Sequence, residues 1–240
     1  MRILLTNDDG INAMGINVLF EMLSADHDVT IIAPDKERSA ASHSVTLGKP
    51  LNVKKLATNR IAVYGTPTDC VLLGVYALMD KAPDIILSGI NHGPNLGDDV
   101  MYSGTVGAAL EGAILEIPSV SISFVDDKNH DLKATKSFVI RLVEFIGKNS
   151  LPPGLFLNVN ICNNPKGVRI TKLGKRKYIN VVGCQDKERY VIKGIPESEI
   201  VEGTDVKAVE DKYISVTPLK VDLTSYESFQ EIQKAFRDKF

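Results

Sequence analysis

The chain has 240 residues, 44% hydrophobic and 24% charged, the balance of a soluble globular fold rather than of a disordered or membrane-embedded chain. Its 28 basic and 30 acidic side chains give a net charge of −2, which argues against wholesale nucleic-acid binding and against a polybasic membrane anchor. No apolar run reaches the ~18 residues that cross a bilayer, and the N-terminus turns acidic at Asp8 and Asp9, too soon for a secretory leader; with three scattered cysteines (Cys70, Cys162, Cys184) and no C-x-x-C, the expectation is a cytoplasmic protein with reduced thiols.

Ile3-Leu4-Leu5 is a short apolar run that ends in polar residues and Gly10, a first strand and its turn. Ile16, Leu19, Phe20 and Leu23 follow at helical spacing. Val29 to Ala33 reads as a strand stopped by Pro34-Asp35, and Ile61 to Tyr64 as another. Thr66-Pro67-Thr68-Asp69 opens a helix, with Thr66 as N-cap, Pro67 at the first position and an acid in the first turn. Its apolar stripe is Val71, Leu72, Val75 and Leu78. Ile85-Ile86-Leu87 is a buried strand, and a glycine-rich stretch from Gly89 to Gly107 leads into a helix of small residues ending near Leu115. A strand at Ser119 to Phe124, a helix from about Leu132 to Ile146 and a strand at Leu155 to Val159 continue the alternation.

This alternation predicts an α/β fold: a three-layer, doubly wound, mostly parallel, Rossmann-like sheet with helices on both faces. Ligands of such sheets sit at the carboxyl ends of the strands. Past Gly167 the pattern changes to strand-like pieces at Val168 to Leu173, Tyr178 to Val182, Tyr190 to Ile192 and Tyr213 to Val216, read as hairpins projecting from the core. A helix from Tyr226 to Phe240 closes the chain; Phe229, Ile232, Phe236 and Phe240 recur near helical spacing and imply a face packed on a neighbouring subunit. Residues 1–125 hold 8 basic and 14 acidic groups, residues 126–240 hold 20 and 16. The expected organisation is a catalytic core over 1–165 and, over 166–240, a hairpin arm, return strand and terminal helix serving oligomerisation.

Four stretches carry candidate chemistry. Asn7-Asp8-Asp9-Gly10 places two adjacent carboxylates past a strand end. They repel each other unless solvated or bridged by a cation, and hard ions such as Mg²⁺ or Mn²⁺ take oxygen ligands of this kind. A solvated turn is the plainer alternative. Ser88 to Asp99 is a long loop that follows a strand; Asn91 stands where an amide oxygen can join a metal site, and Asn95 is placed deeper, as a substrate contact. Tyr102-Ser103-Gly104-Thr105-Val106-Gly107 begins a helix. Its free N–H groups, the hydroxyls of Ser103 and Thr105 and the helix dipole suit a phosphate, although a simple Ser103 N-cap explains the same residues. Arg38 to Ser44 offers serine hydroxyls as ligands or substrate contacts, or is merely a polar loop. His43 and His92 lie in these loops and are candidates for acid, base or phosphate contact; His27 and His130 read as surface residues. The chain has no P-loop, no G-x-G-x-x-G after the first strand, no G-x-S-x-G elbow and no H-E-x-x-H.

Taken together, Met1 to Gly10, Ala33-Pro34-Asp35 through Arg38-Ser39 to Ser44, Gly65 to Val71, and Ser88 to Gly112 resemble the stationary-phase survival protein (SurE) family. The likeness is dense over about residues 1–123 and returns at Leu157-Asn158-Val159-Asn160 and at Tyr213 to Leu219. The resemblance implies a metal-dependent 5′-nucleotidase acting on nucleoside 5′-monophosphates, with 3′-nucleotides and short polyphosphate as lesser substrates. It implies one Mg²⁺ or Mn²⁺ per subunit held by Asp8, Asp9, Ser39 and Asn91, with Asp8 and Asp9 also catalytic. It further implies a homodimer or homotetramer with an exchanged C-terminal arm. Phosphate would be held by Asn95, Ser103, Gly104 and Thr105, with His43 as a further contact. No membrane and no dedicated nucleic-acid partner are expected.

Two rival readings remain at this stage. Asp8 as a nucleophile forming an aspartyl-phosphate would call for the D-x-D spacing of haloacid-dehalogenase-type phosphatases, whereas Asp8 and Asp9 are adjacent. A nucleotide- or polyphosphate-sensing assembly protein without turnover rests on Lys166, Arg169, Lys172, Lys175, Arg176 and Lys177, a run with no acid among them. A solvated hairpin face accounts for the same run.

Overall fold

The computed structural model describes residues 1–125, 132–179, 181–184 and 188–237; the readings of His130 and Phe240 lie outside the described residues. In chain order the first part comprises β1 (Arg2–Thr6), α1 (Met14–Leu23), β2 (Asp28–Pro34), β3 (Val53–Ala57), β4 (Arg60–Val63) and α2 (Pro67–Leu73), which a π turn extends over Gly74–Leu78. There follow β5 (Ile85–Asn91), a 3-10 turn (Gly97–Met101), α3 (Gly104–Ile114), β6 (Ser119–Phe124), α4 (Leu132–Asn149) and β7 (Leu155–Ile161). The last part comprises β8 (Val168–Ile170), β9 (Arg176–Ile179), β10 (Val182–Cys184), β11 (Tyr190–Ile192), β12 (Ile195–Ser198), α5 (Asp205–Glu210), β13 (Ile214–Lys220) and α6 (Tyr226–Arg237).

Nine strands form one sheet in the order β3-β4-β2-β1-β5-β6-β7-β13-β8. The run from β4 to β7 is parallel. β3 and β13 run antiparallel to their inner neighbours β4 and β7. Side chains alternate across the strands with period two, which divides the apolar runs between two cores. Ile3, Leu5, Ile31, Ile85 and Leu87 pack on one face with α1 and α4. Leu4, Ile32 and Ile86 face the other way, against Cys70 and Val71 of α2 and Ala108 of α3. The result is the expected three-layer, doubly wound α/β architecture.

The start of α2 follows its sequence. The Thr66 hydroxyl accepts from the Asp69 N–H at 3.1 Å while the Asp69 carboxylate accepts from the Thr66 N–H at 2.9 Å, a closed capping box with Pro67 in the first turn.

Several elements depart from the reading of the sequence. The strands expected to project at Val168 to Leu173 and Tyr213 to Val216 lie in the main sheet, as β8 and β13. Ile214 and Val216 are buried in the larger core, and Val216 stands opposite Val159 of β7, so apolar burial draws this segment into the sheet. The hairpins proper are two small ladders, β9 with β12 and β10 with β11. β3 and α5 escaped the pattern because the five residues of β3 are exposed, two of them lysines that blunt a sheet edge, and α5 spans only six residues. β5 runs on to Asn91, with a register shift against β6 between Ser88 and Asn91. No helix among the described residues is long and apolar enough to cross a membrane.

Thr66→Ala removes the α2 cap and is expected to lower stability by about 1 kcal/mol, a fall in Tm of about 2–4 °C by differential scanning calorimetry.

Candidate active site

The carboxyl ends of β1, β2 and β5 open on one cleft. The strand order reverses between β1 and β5: the chain passes from β1 to β2 and β4 on one side, then crosses through α2 from β4 to β5 on the other, and doubly wound sheets bind ligands at such a point. The cleft has a volume of about 1140 Å³, and Asp8, Asp9, Ser39, Asn91, Asn95 and Ser103 all line it.

Asp8 follows β1 and is buried. Its carboxylate accepts the Thr105 N–H at 3.2 Å and also the Thr105 hydroxyl, while its main-chain carbonyl accepts from Arg38 N at 2.7 Å. The amino end of α3 therefore abuts this carboxylate. A Cβ on Gly104 would lie 3.0 Å from the Asp8 Cβ, so glycine permits the approach. The Ser103 hydroxyl caps α3, accepting from Val106 N at 3.1 Å. Burial raises the Asp8 carboxyl from 3.8 to about 6, opposed by the Thr105 hydroxyl and reinforced by the Asp9 charge.

Asp9 is less buried, and its carboxylate accepts the His92 N–H at 3.1 Å. Burial raises its pKa, the His92 N–H lowers it, and Glu37 adds a like charge. Among the described residues no lysine or arginine forms an ion pair with Asp8 or Asp9. The Ser39 hydroxyl donates to Glu37. The Asn91 amide nitrogen donates to the Gly93 carbonyl at 2.8 Å, which leaves the amide oxygen as the atom offered to a ligand. No group of three or more His, Cys, Asp or Glu side chains forms a metal cluster among the described residues. The donors gathered are two carboxylates, a hydroxyl and an amide oxygen; an all-oxygen set with uncompensated negative charge fits a hard divalent cation.

Asn95 is clamped. Its N–H donates to Asn160 Oδ1 at 2.8 Å, its amide nitrogen to Ser123 Oγ at 2.8 Å, and its carbonyl accepts from Asn158 at 2.8 Å and Asn160 at 3.0 Å. Thr105 is fully buried behind Asp8, with its N–H and hydroxyl both committed to that carboxylate. His43 Nε2 stands 2.6 Å from Glu111 of α3, and of the expected phosphate contacts His43, Gly104 and Thr105 do not line the cleft.

The cleft also has a wall that sequence reasoning did not anticipate, formed by Arg176, Lys177, Tyr178, Val181, Ile192 and Lys193 of the arm. Arg176 pairs with Asp99 at 2.8 Å, and the Tyr178 hydroxyl donates to the same carboxylate at 2.7 Å. The only signal was complementary charge between Asp98-Asp99 and Lys175-Arg176-Lys177, which does not say which acid meets which base. The basic run is thereby divided. Arg169 pairs with Asp211 at 2.9 Å and lies over the Tyr213 ring, Arg176 turns to the cleft, and Lys177 reaches Glu199 at 3.7 Å.

Comparison with known proteins gives the family and the fold. Residues 3–180 match the family model of the survival protein SurE. The chain is 43% identical to the 5′-nucleotidase SurE of Pelotomaculum thermopropionicum over 99% of its own length and 96% of the relative's. It is 46% identical to the 5′-nucleotidase SurE of Aeromonas hydrophila over 95% of each chain. Among solved structures, the crystal structure of the SurE protein from Aquifex aeolicus matches with a TM-score of 0.88 at 39% identity, spanning 98% of this chain and 100% of that one. With sequence likeness carried through both core and arm, and the same fold in a solved relative, the chain belongs to the survival protein SurE family.

Proposed function

We propose that the chain is a metal-dependent 5′-nucleotidase that hydrolyses nucleoside 5′-monophosphates to nucleoside and phosphate. The observation that carries this reading is the convergence of Asp8, Asp9, Ser39 and Asn91 on one cleft at the switch point of the sheet, in a family whose relatives bear that name.

Asp8, Asp9, Ser39 and Asn91 hold one divalent ion, Mg²⁺ or Mn²⁺. When bound, the ion supplies Lewis-acid charge at the phosphoryl oxygens. Thr105 fixes Asp8 from behind and keeps its carboxylate turned to the cleft. Asp8 and Asp9 are the catalytic carboxylates, aligning the attacking water on phosphorus. The new P–O bond forms as the ester bond to the nucleoside oxygen breaks, and the proton given up by the attacking water ends on the departing oxygen, which leaves as a hydroxyl. Ser103, at the amino end of α3, and Asn95 contact the phosphate. There the positive end of the helix dipole meets the charge that builds on the equatorial oxygens. Because these groups address the phosphoryl group, 3′-nucleotides and short polyphosphate are lesser substrates of the same site. His43, turned to Glu111, takes no part in this arrangement.

The chain works as a homodimer or homotetramer in the cytoplasm. α6 has no buried residue, and Phe229, Ile232 and Phe236 are 54%, 56% and 60% exposed, a face suited to a second copy.

After EDTA treatment, phosphate release from AMP, GMP, CMP and UMP should vanish and return with Mn²⁺ or Mg²⁺. Asp8→Asn should cut kcat/KM by more than about a hundredfold with the fold retained by circular dichroism; release that survives both treatments refutes the metal reading. Thr105→Val keeps the N–H donor and removes the hydroxyl; calorimetric titration should show Mn²⁺ binding weakened by about 10–100-fold. Light scattering should give at least a dimer mass, and replacing Phe229 and Ile232 with serine should lower it.

A further inference from the structure

We propose that the arm forms the nucleobase subsite of the cleft, with the Tyr178 ring as the platform on which the base stacks. The inference rests on the nucleotidase reading and extends it from the phosphate to the leaving group.

The cleft has two chemically different sides. Its floor carries Asp8, Asp9, Ser39 and Asn91, while Tyr178, Val181 and Ile192 present apolar bodies from the arm. These three are 41%, 43% and 82% exposed, and they share the apolar part of the lining with Met101 and Tyr102. A phosphomonoester held by its phosphoryl group at the floor and extended along the cleft toward the arm brings its nucleoside onto this wall.

The platform is fixed rather than adrift on a hairpin. The Tyr178 hydroxyl donates to Asp99 Oδ1 at 2.7 Å, the Arg176 guanidinium holds Asp99 Oδ2 at 2.8 Å, and the Arg176 N–H donates to Asp98 at 3.0 Å. The Arg176 and Asp99 side chains are only 14% and 12% exposed, so this tether is shielded from solvent. It joins β9 to the 3-10 turn at the end of the loop that carries Asn91 and Asn95. A tyrosine held in this way presents a large ring at little cost in side-chain entropy. Stacking tolerates every base, because each has a π-face. The platform therefore selects nucleotides over bare sugar phosphates without choosing among bases.

The test compares kcat/KM for AMP and for ribose 5-phosphate, with Mn²⁺, in the wild-type chain, Tyr178→Ala and Tyr178→Phe. The wild type should prefer AMP. Tyr178→Ala should lower the AMP-to-ribose 5-phosphate ratio by about five- to a hundredfold, chiefly through KM for AMP, and Tyr178→Phe should keep the ratio. An unchanged ratio in Tyr178→Ala, an equal loss on both substrates, or a loss in Tyr178→Phe as large as in Tyr178→Ala overturns the proposal. Tyr178→Leu, which keeps apolar bulk without a π-face, replaces the alanine variant if that variant does not fold. If the wild type releases phosphate from neither compound, the nucleotidase reading fails by itself. The ratio is then read from calorimetric Kd values for AMP and ribose 5-phosphate, where a loss confined to AMP sustains the platform and parallel affinities overturn it.

Discussion

The cleft depends on one constraint: two adjacent carboxylates must face the same way at the end of the central strand. Within a strand, neighbouring side chains point to opposite faces, so the chain has to leave the ladder before Asp8. β1 ends at Thr6, and the Asn7 amide closes the following turn on the Gly10 carbonyl at 2.9 Å. Gly10 has a φ of +97°, and a Cβ there would stand 2.9 Å from the Lys36 carbonyl carbon. The same glycine therefore permits the turn and lets the segment that carries Ser39 approach Asp9.

Burying Asp8 creates an electrostatic debt that the protein only partly meets. The amino end of α3 offers roughly half a positive charge, and Thr105 adds two hydrogen bonds. The carboxyl nonetheless rises to about 6, with burial as the leading cause. A site left this negative would repel a phosphate on its own. Carboxylates and phosphate become compatible partners when a cation stands between them, which is why the metal reading and the phosphate reading stand or fall together. The one helix serves both groups: its Thr105 donors turn to Asp8, and its N-cap, Ser103, borders the space in front.

Much of this was legible in the sequence, and the failures have a physical pattern. β1, β2 and β5 announce themselves as apolar runs because parallel strands are buried on both faces, while β6 and β7 alternate apolar residues with serine or asparagine. Asp8, Asp9 and Asn91 could be placed because they sit at the ends of legible strands. Ser39 could not, since a serine in a polar loop has no periodicity; only family likeness promoted it. His43 lay in a suspected loop, yet which way it points depends on Glu111, 68 positions away. β13 was misplaced for the same reason, because its partner is chosen by a long-range register, Val216 against Val159. Tyr178 was invisible as a cleft-lining residue because its anchor, Asp99, is 79 positions distant. Local chemistry was readable; pairings across the chain were not.

The segment from Asn91 to Met101 shows how a long loop can bear a site at all. Such loops lack the ladder bonds that stiffen strands, and floor residues displaced by an ångström lose their function. Here side chains replace the ladder. Asn158 and Asn160 of β7 hold Asn95 from below. The buried Asp205 accepts the Gly97 N–H at 2.9 Å and the Gly174 N–H at 2.7 Å, which joins the loop to the base of the arm. Asp98 and Asp99 then receive Arg176 and Tyr178. Clamped to the core on one side and to the arm on the other, the loop fixes the distance between the carboxylate floor and the Tyr178 wall. The arm is thereby part of the cleft's geometry, and a change at its base, at Asp205 or Gly174, acts on the site without touching a ligand.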